Sequence, residues 1–121
     1  MPNISINLIV LRVANIERSL QFYGWLGLDF TQHRHGSGPE HYACELGPLV
    51  FEMYPRVDEA QSTRATRIGF QVQQLDDLIV KLQANRVPII SAPKESLWGW
   101  RAVVDDPDGH RVELLQIPQM S

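Results

Sequence analysis

Apolar and polar positions change their spacing several times along the chain, and each change marks an element. Ile4 to Val13 is rich in Ile, Val and Leu and carries no helix start signal, which predicts a strand covered on both faces. Asn15 is a good N-cap. Beyond it Ile16, Leu20 and Tyr23, with Ser19 and Leu26 beside them, fall on one side of a helix that ends near Gly27. Trp25 points away from that side, as a partly covered surface aromatic or a subunit contact. Short apolar runs then predict strands over Leu28 to His33, His41 to Leu46 and Leu49 to Tyr54, broken by the Gly36-Ser37-Gly38-Pro39 loop and by Gly47-Pro48. Pro55 to Ala65 is polar and aperiodic, as expected of an internal linker.

The second half repeats this order. Arg67 to Asp76 lies over Leu8 to Glu17 without a gap, strand on strand and helix start on helix start. Leu75, Leu78, Ile79 and Leu82 have helical spacing, with a stop near Asn85, and Val87 to Ala92, Trp98 to Asp105 and His110 to Ile117 supply three further strands. The expectation is one α+β domain made of two βαβββ modules, about 1–57 and 64–121, whose curled mixed sheets pack together or against those of a second chain.

The last hairpin carries the clearest local signal. Asp106, Pro107, Asp108 and Gly109 fit a type I turn with Gly109 free to take positive φ, and His110, as part of the turn, is expected to be exposed. On the strand that follows, Val112 and Leu114 share one face while Arg111, Glu113 and Leu115 share the other. A covered Glu113 needs a cation, a metal or several donors, since a buried carboxylate otherwise takes up a proton.

Composition narrows the partners. The 121 residues suit one domain; 44% are hydrophobic and 21% charged, and the net charge of −3 gives no broad basic surface for nucleic acid. Cys44, the single cysteine, cannot form an internal disulfide and is expected to be an inert buried thiol in a reducing cytoplasm. The start Met1-Pro2-Asn3 lacks the basic character of a signal peptide, and the run Leu8 to Leu11 is too short to span a bilayer, so neither export nor a membrane is expected. No phosphate loop, dinucleotide fingerprint or nucleophile elbow is present.

Aromatic and histidine positions add candidate chemistry. Trp98 and Trp100, separated by Gly99, share a face if extended and could line a cavity mouth against a flat or cationic ligand, although packing is the commoner use of tryptophan. His33 and His35 also share a face, with His41 and Glu40 nearby; two imidazoles at that spacing can hold one ion, but they flank a polar loop, where solvated histidines are the simpler expectation.

Three stretches in order, Leu11 to Tyr23, Leu26-Gly27-Leu28 and Asp106 to Leu114, make the chain resemble the vicinal oxygen chelate superfamily, which includes glyoxalase I, bleomycin resistance proteins and extradiol dioxygenases. The resemblance implies paired βαβββ modules around a cavity, often in a homodimer. It also implies metal ligands on the first and last strands of each module, which fall here on Leu8, Glu52, Arg67 and Glu113. Leu8 has no lone pair, and Arg67 is permanently charged. A guanidinium about 4 Å from a unit positive charge costs roughly 4 kcal/mol at an effective dielectric of 20, and a divalent ion doubles that. The resemblance therefore implies a cavity binding a small organic molecule without the usual divalent metal, in which Leu8, Glu52, Arg67, Trp98, Trp100 and Glu113 are candidate ligand contacts and Arg67 pairs with Glu52, Glu113 or an anionic ligand group. If the protein is an enzyme, Glu113 and Glu52 are the candidate general bases of a metal-free isomerase or lyase, ahead of dioxygenase chemistry. A metal-dependent lyase or dioxygenase with atypical ligands, for which Glu52 and Glu113 are the available donors, and a structural or regulatory dimer with a filled cavity, are the remaining alternatives.

Overall fold

Strand β1 (Leu8–Val13), helix α1 (Ile16–Trp25) and strands β2 (Thr31–His33), β3 (His41–Leu46) and β4 (Leu49–Pro55) form the first half of the chain; β5 (Arg67–Gln71), α2 (Leu75–Ala84), β6 (Ile89–Ser96), β7 (Gly99–Asp105) and β8 (Arg111–Gln116) form the second. The computed structural model describes residues 3–34 and 36–118, which fall into two units divided between Thr63 and Arg64. Each unit is βαβββ. The strand orders are β1-β4-β3-β2 and β5-β8-β7-β6, and neither sheet closes on itself. In each, the first strand runs parallel to the last and the other pairings are antiparallel. A βα crossover returns the chain parallel to its start, whereas the tight turns at Gly47-Pro48 and Leu97-Trp98 force hairpins.

In the first unit, alternation along the strands sends Leu11, Val13, Cys44, Phe51 and Met53 to a face that excludes solvent. Helix α1 adds Ser19, Phe22 and Tyr23 to that core. Phe22 lies outside the helix face expected from spacing, yet it is 1% exposed, because its ring meets Tyr23 edge-on at 4.8 Å. Tyr23 in turn meets Phe51 at 5.2 Å and 90°, the edge-to-face geometry that aromatic quadrupoles favour. Asn15 caps α1 by accepting a hydrogen bond from the Arg18 N–H.

In the second unit the covered face combines Ile68, Ala102, Val104, Val112 and Leu114 with Leu75, Leu78, Ile79 and Leu82 of α2. Helix α2 begins differently from α1. Gln74 is left-handed at φ 53° and offers no side-chain cap; instead Gln116 Oε1, at the end of β8, accepts from the Leu75 N–H at 2.8 Å.

Several expected boundaries shift for local reasons. Leu28 donates its N–H to Tyr23 O behind Gly27, which closes α1 and delays β2 to Thr31. Strand β1 begins at Leu8 rather than Ile4. Strand β6 runs past Ala92 to Ser96, with register shifts on both sides of Ser91 that accommodate Pro93, a residue with no N–H for the ladder. The segment expected to be a bare linker contains one 3-10 turn, Glu59–Gln61. His110, expected to be exposed, is fully buried. Its N–H and its Nδ1 both meet the Asp106 carboxylate, which draws the ring inward under the turn.

Candidate functional site

The uncovered face of each sheet carries the chemistry. On the first, the pairings His33↔His41, Thr31↔Ala43, Ala43↔Glu52 and Arg12↔Tyr54 place flat and charged side chains on one surface. His33 stacks on His41 with centroids 5.8 Å apart and planes at 21°, His41 stacks on Tyr54 at 4.3 Å and 8°, and the Arg12 guanidinium sits 5.0 Å from the Tyr54 centroid. Four flat groups, one from each strand, thus form a continuous rung across the sheet. Beside it lies a concavity of about 620 Å³ whose lining includes Asp29, Thr31, His33, His41, Glu45 and Glu52. His41 is 2% exposed, and its Nε2 lies 3.8 Å from Glu52 Oε2, beyond hydrogen-bond length.

Glu52 was identifiable from sequence and His41 as its neighbour was not. The carboxylate that spacing suggested for the histidines, Glu40, instead bonds Gln32 and Arg34. The missed signal was the Gly47-Pro48 hairpin, whose register puts Glu52 opposite Ala43, two residues from His41 on the same face. The suggested pairing of His33 with His35 lies outside the described residues. Leu8 shares the Glu52 face at the strand edge and is half exposed.

On the second sheet, Arg67, Glu113, Arg101, Arg111 and Asp105 share the uncovered face, as the pairings Arg67↔Arg111, Val103↔Glu113 and Asp105↔Arg111 require. Arg67 does meet Glu113, Nε to Oε2 at 3.7 Å. The closer partner is Arg101, whose Nε donates to Glu113 Oε1. That hydrogen bond, opposed by desolvation and helped by the charges of Arg101 and Arg67, holds the Glu113 carboxyl below its ordinary range. Arg111 pairs with Asp105 at 2.9 Å.

The two tryptophans do not share a strand face. Trp98 occupies the β6–β7 turn and is 69% exposed, because the hairpin begins at Ser96 and resumes at Gly99. Trp100 is on β7, and its Nε1–H donates to Asp76 Oδ1 on α2, on the helix-covered side of the sheet.

A family model described as the Glyoxalase/Bleomycin resistance protein/Dioxygenase superfamily matches residues 5–114. The chain belongs to this superfamily. Among superfamily relatives it is 26% identical to a phenazine antibiotic resistance protein, EhpR, of Enterobacter agglomerans, covering 93% of this chain and 92% of the relative. It is 29% identical to a lactoylglutathione lyase of Neisseria meningitidis, over 88% and 86% of the two chains. The fold matches TnmS3, an antibiotic binding protein from Streptomyces, with a TM-score of 0.75 at 21% identity, covering 98% of this chain and all of that one.

At the four positions where the resemblance implies metal ligands, the donor atoms are few. Leu8 offers no donor atom, Arg67 adds a cation, and both Glu113 oxygens already face guanidinium nitrogens. Among the described residues one other group, Asp106, Asp108 and His110, brings three ligand atoms within 4.8 Å of one another. Asp106 is already committed there: Oδ1 accepts from the N–H groups of Asp108 and His110, and Oδ2 lies 2.8 Å from His110 Nδ1. The Arg64 guanidinium lies 3.8 Å from where a Cβ on Gly109 would sit. This arrangement braces the turn.

Proposed function

We propose that the protein binds a small, flat organic molecule on the open face of the first sheet, without a divalent metal. The observation that carries this reading is the rung of stacked flat groups, His33, His41, Tyr54 and Arg12, beside a concavity of about 620 Å³. A planar ring seated in the concavity would lie against the edges of this stack, and the lining carboxylates Asp29, Glu45 and Glu52 favour a ligand with cationic or N–H-bearing character. The relatives named for phenazine resistance and antibiotic binding agree with a planar heteroaromatic ligand. In the same reading the two βαβββ units constitute one domain of a cytoplasmic homodimer, which a single calorimetric transition and sedimentation velocity would test.

The relatives named lactoylglutathione lyase keep catalysis as a second reading. Of the two candidate general bases, Glu52 is the better one. Glu113 has a lowered pKa and guanidinium contacts at both oxygens, which make it a weak proton acceptor.

Calorimetric titration with phenazine and with N-methylphenazinium tests the binding reading. Glu52→Gln should weaken the cation by about tenfold while changing the neutral ring less, and His33→Leu should weaken both. Absence of saturable heat with either probe, or affinities unchanged in both variants, would refute it.

A further inference from the structure

The second sheet carries a cluster that the flat-ligand reading does not use. Arg67 on the edge strand β5 and Arg101 on β7 approach one carboxylate, Glu113, from opposite sides. Arg101 hydrogen-bonds it through Nε, and Arg67 Nε lies 3.7 Å from it, an ion pair without a hydrogen bond. A guanidinium has five N–H donors in a fixed fork, and among the described residues Glu113 is the one polar side-chain partner of either arginine. The Nη groups of both therefore remain available, with Arg101 anchored at its Nε and Arg67 drawn toward the carboxylate by charge. Beside Glu113 on β5, Gly69, paired directly with it, carries no side chain; a Cβ there would approach no atom closer than 3.7 Å, so the floor on that side of the carboxylate is bare.

Charge bears out the direction. Two guanidiniums share one carboxylate, so the cluster carries one unbalanced positive charge. Its neighbours do not cancel it: Arg111 is matched by Asp105, and Lys94, paired in register with Arg101, adds a further cation to the same face. Burial is graded to suit a solvent-borne ligand, with side-chain exposures of 23% for Arg101, 32% for Glu113 and 52% for Arg67.

We propose that Arg67 and Arg101, gathered around Glu113 on the open face of the second sheet, form a recognition site for the carboxylate of a small organic acid. A planar carboxylate matches the guanidinium fork in two parallel hydrogen bonds, and a single negative charge balances the cluster. Glu113 acts as a positioning residue that fixes the Arg101 fork and draws Arg67 toward it. The site uses no residue of the first unit, so it stands or falls separately from the flat-ligand reading.

Titration of the full-length protein with sodium benzoate at constant ionic strength, followed by the ¹⁵N resonances of the arginine Nε–H groups, tests this. Arg67 and Arg101 should shift together and saturably. Arg101→Lys keeps the charge but loses the fork, and should weaken benzoate about tenfold; Arg67→Gln, at a half-exposed position that tolerates exchange, should weaken it at least as much. Shifts that grow linearly without saturation, equal shifts with sodium chloride, or wild-type affinity in both variants would overturn the site. Saturable binding of inorganic phosphate in place of benzoate would overturn its assignment to carboxylates.

Discussion

The turn before β8 gives the sharpest quantitative test, because one carboxylate makes three contacts within it. Asp106 is 4% exposed as a residue, and it accepts hydrogen bonds from the N–H groups of Asp108 and His110 at 2.9 Å each while its other oxygen lies 2.8 Å from His110 Nδ1. Asp106→Ala removes the acceptor for two backbone donors and a ring partner of a fully buried histidine. Leaving a buried donor unsatisfied costs about 1–3 kcal/mol, and with partial relaxation the three together should cost about 3–5 kcal/mol. That is a large share of the roughly 5–15 kcal/mol expected for a domain of this kind. With a urea m-value of about 1.5 kcal/mol/M, the unfolding midpoint should fall by about 2–3 M. Asp106→Asn retains the oxygen that serves the two backbone groups and should lose only about 1 kcal/mol. The assay is equilibrium urea unfolding followed by far-ultraviolet circular dichroism. A midpoint drop for Asp106→Ala of less than about 0.5 M at unchanged m, or equal losses for Ala and Asn, would refute the reasoning.

Gly99 has φ 141°, and a Cβ there would lie 2.4 Å from Gln116 O, so Gly99→Ala should cost about 3 kcal/mol or more in the same urea assay; a loss below about 1 kcal/mol would contradict that close approach. Because the folded Glu113 carboxyl titrates below its ordinary value of 4.5, its charge stabilises the fold above that pH, and this contribution is lost as the pH falls through the folded value. Glu113→Gln should therefore flatten the stability profile below about pH 4.5, with an effect at neutral pH of about 1 kcal/mol or less, because the carboxylate is one-third exposed. An unchanged profile there would argue against the Arg101 hydrogen bond. Asn15→Ala should cost about 1 kcal/mol by removing the cap of α1, readable as faster amide exchange in its first turn; unaltered exchange at Arg18 would contradict the cap.

Patterns that live within one element were legible in the sequence. Asn15 as a cap, the alternation that puts Glu113 opposite in facing to Val112 and Leu114, and the βαβββ order all depend on periods of 2 and 3.6 and on turn chemistry. What escaped depends on register between strands. Arg101 and Glu113 are 12 residues apart, and nothing in either segment reveals that the β7–β8 pairing sets them within reach. His41 and Glu52 come together through the β3–β4 hairpin for the same reason. The burial of His110 was hidden differently: turn residues are read as solvated, but here Asp106 satisfies the ring from within the turn itself. Trp98 and Trp100 were misplaced by a shift of the hairpin by a single residue, enough to move one ring from strand to turn.

The different starts of the two helices have a consequence for how the chain assembles. Helix α1 meets the need of its first turn from three residues away, so its N-terminus is complete as soon as Arg18 is in place. The first amide of α2 waits for Gln116, 41 residues further along, and a chain growing from its N-terminus cannot supply that acceptor until its last strand has been made. The two halves repeat one topology with unlike timetables: the first can ripen locally, while the second must close all at once. In a pulse-labelling experiment the Leu75 amide should gain protection together with β8 rather than with the rest of its own helix.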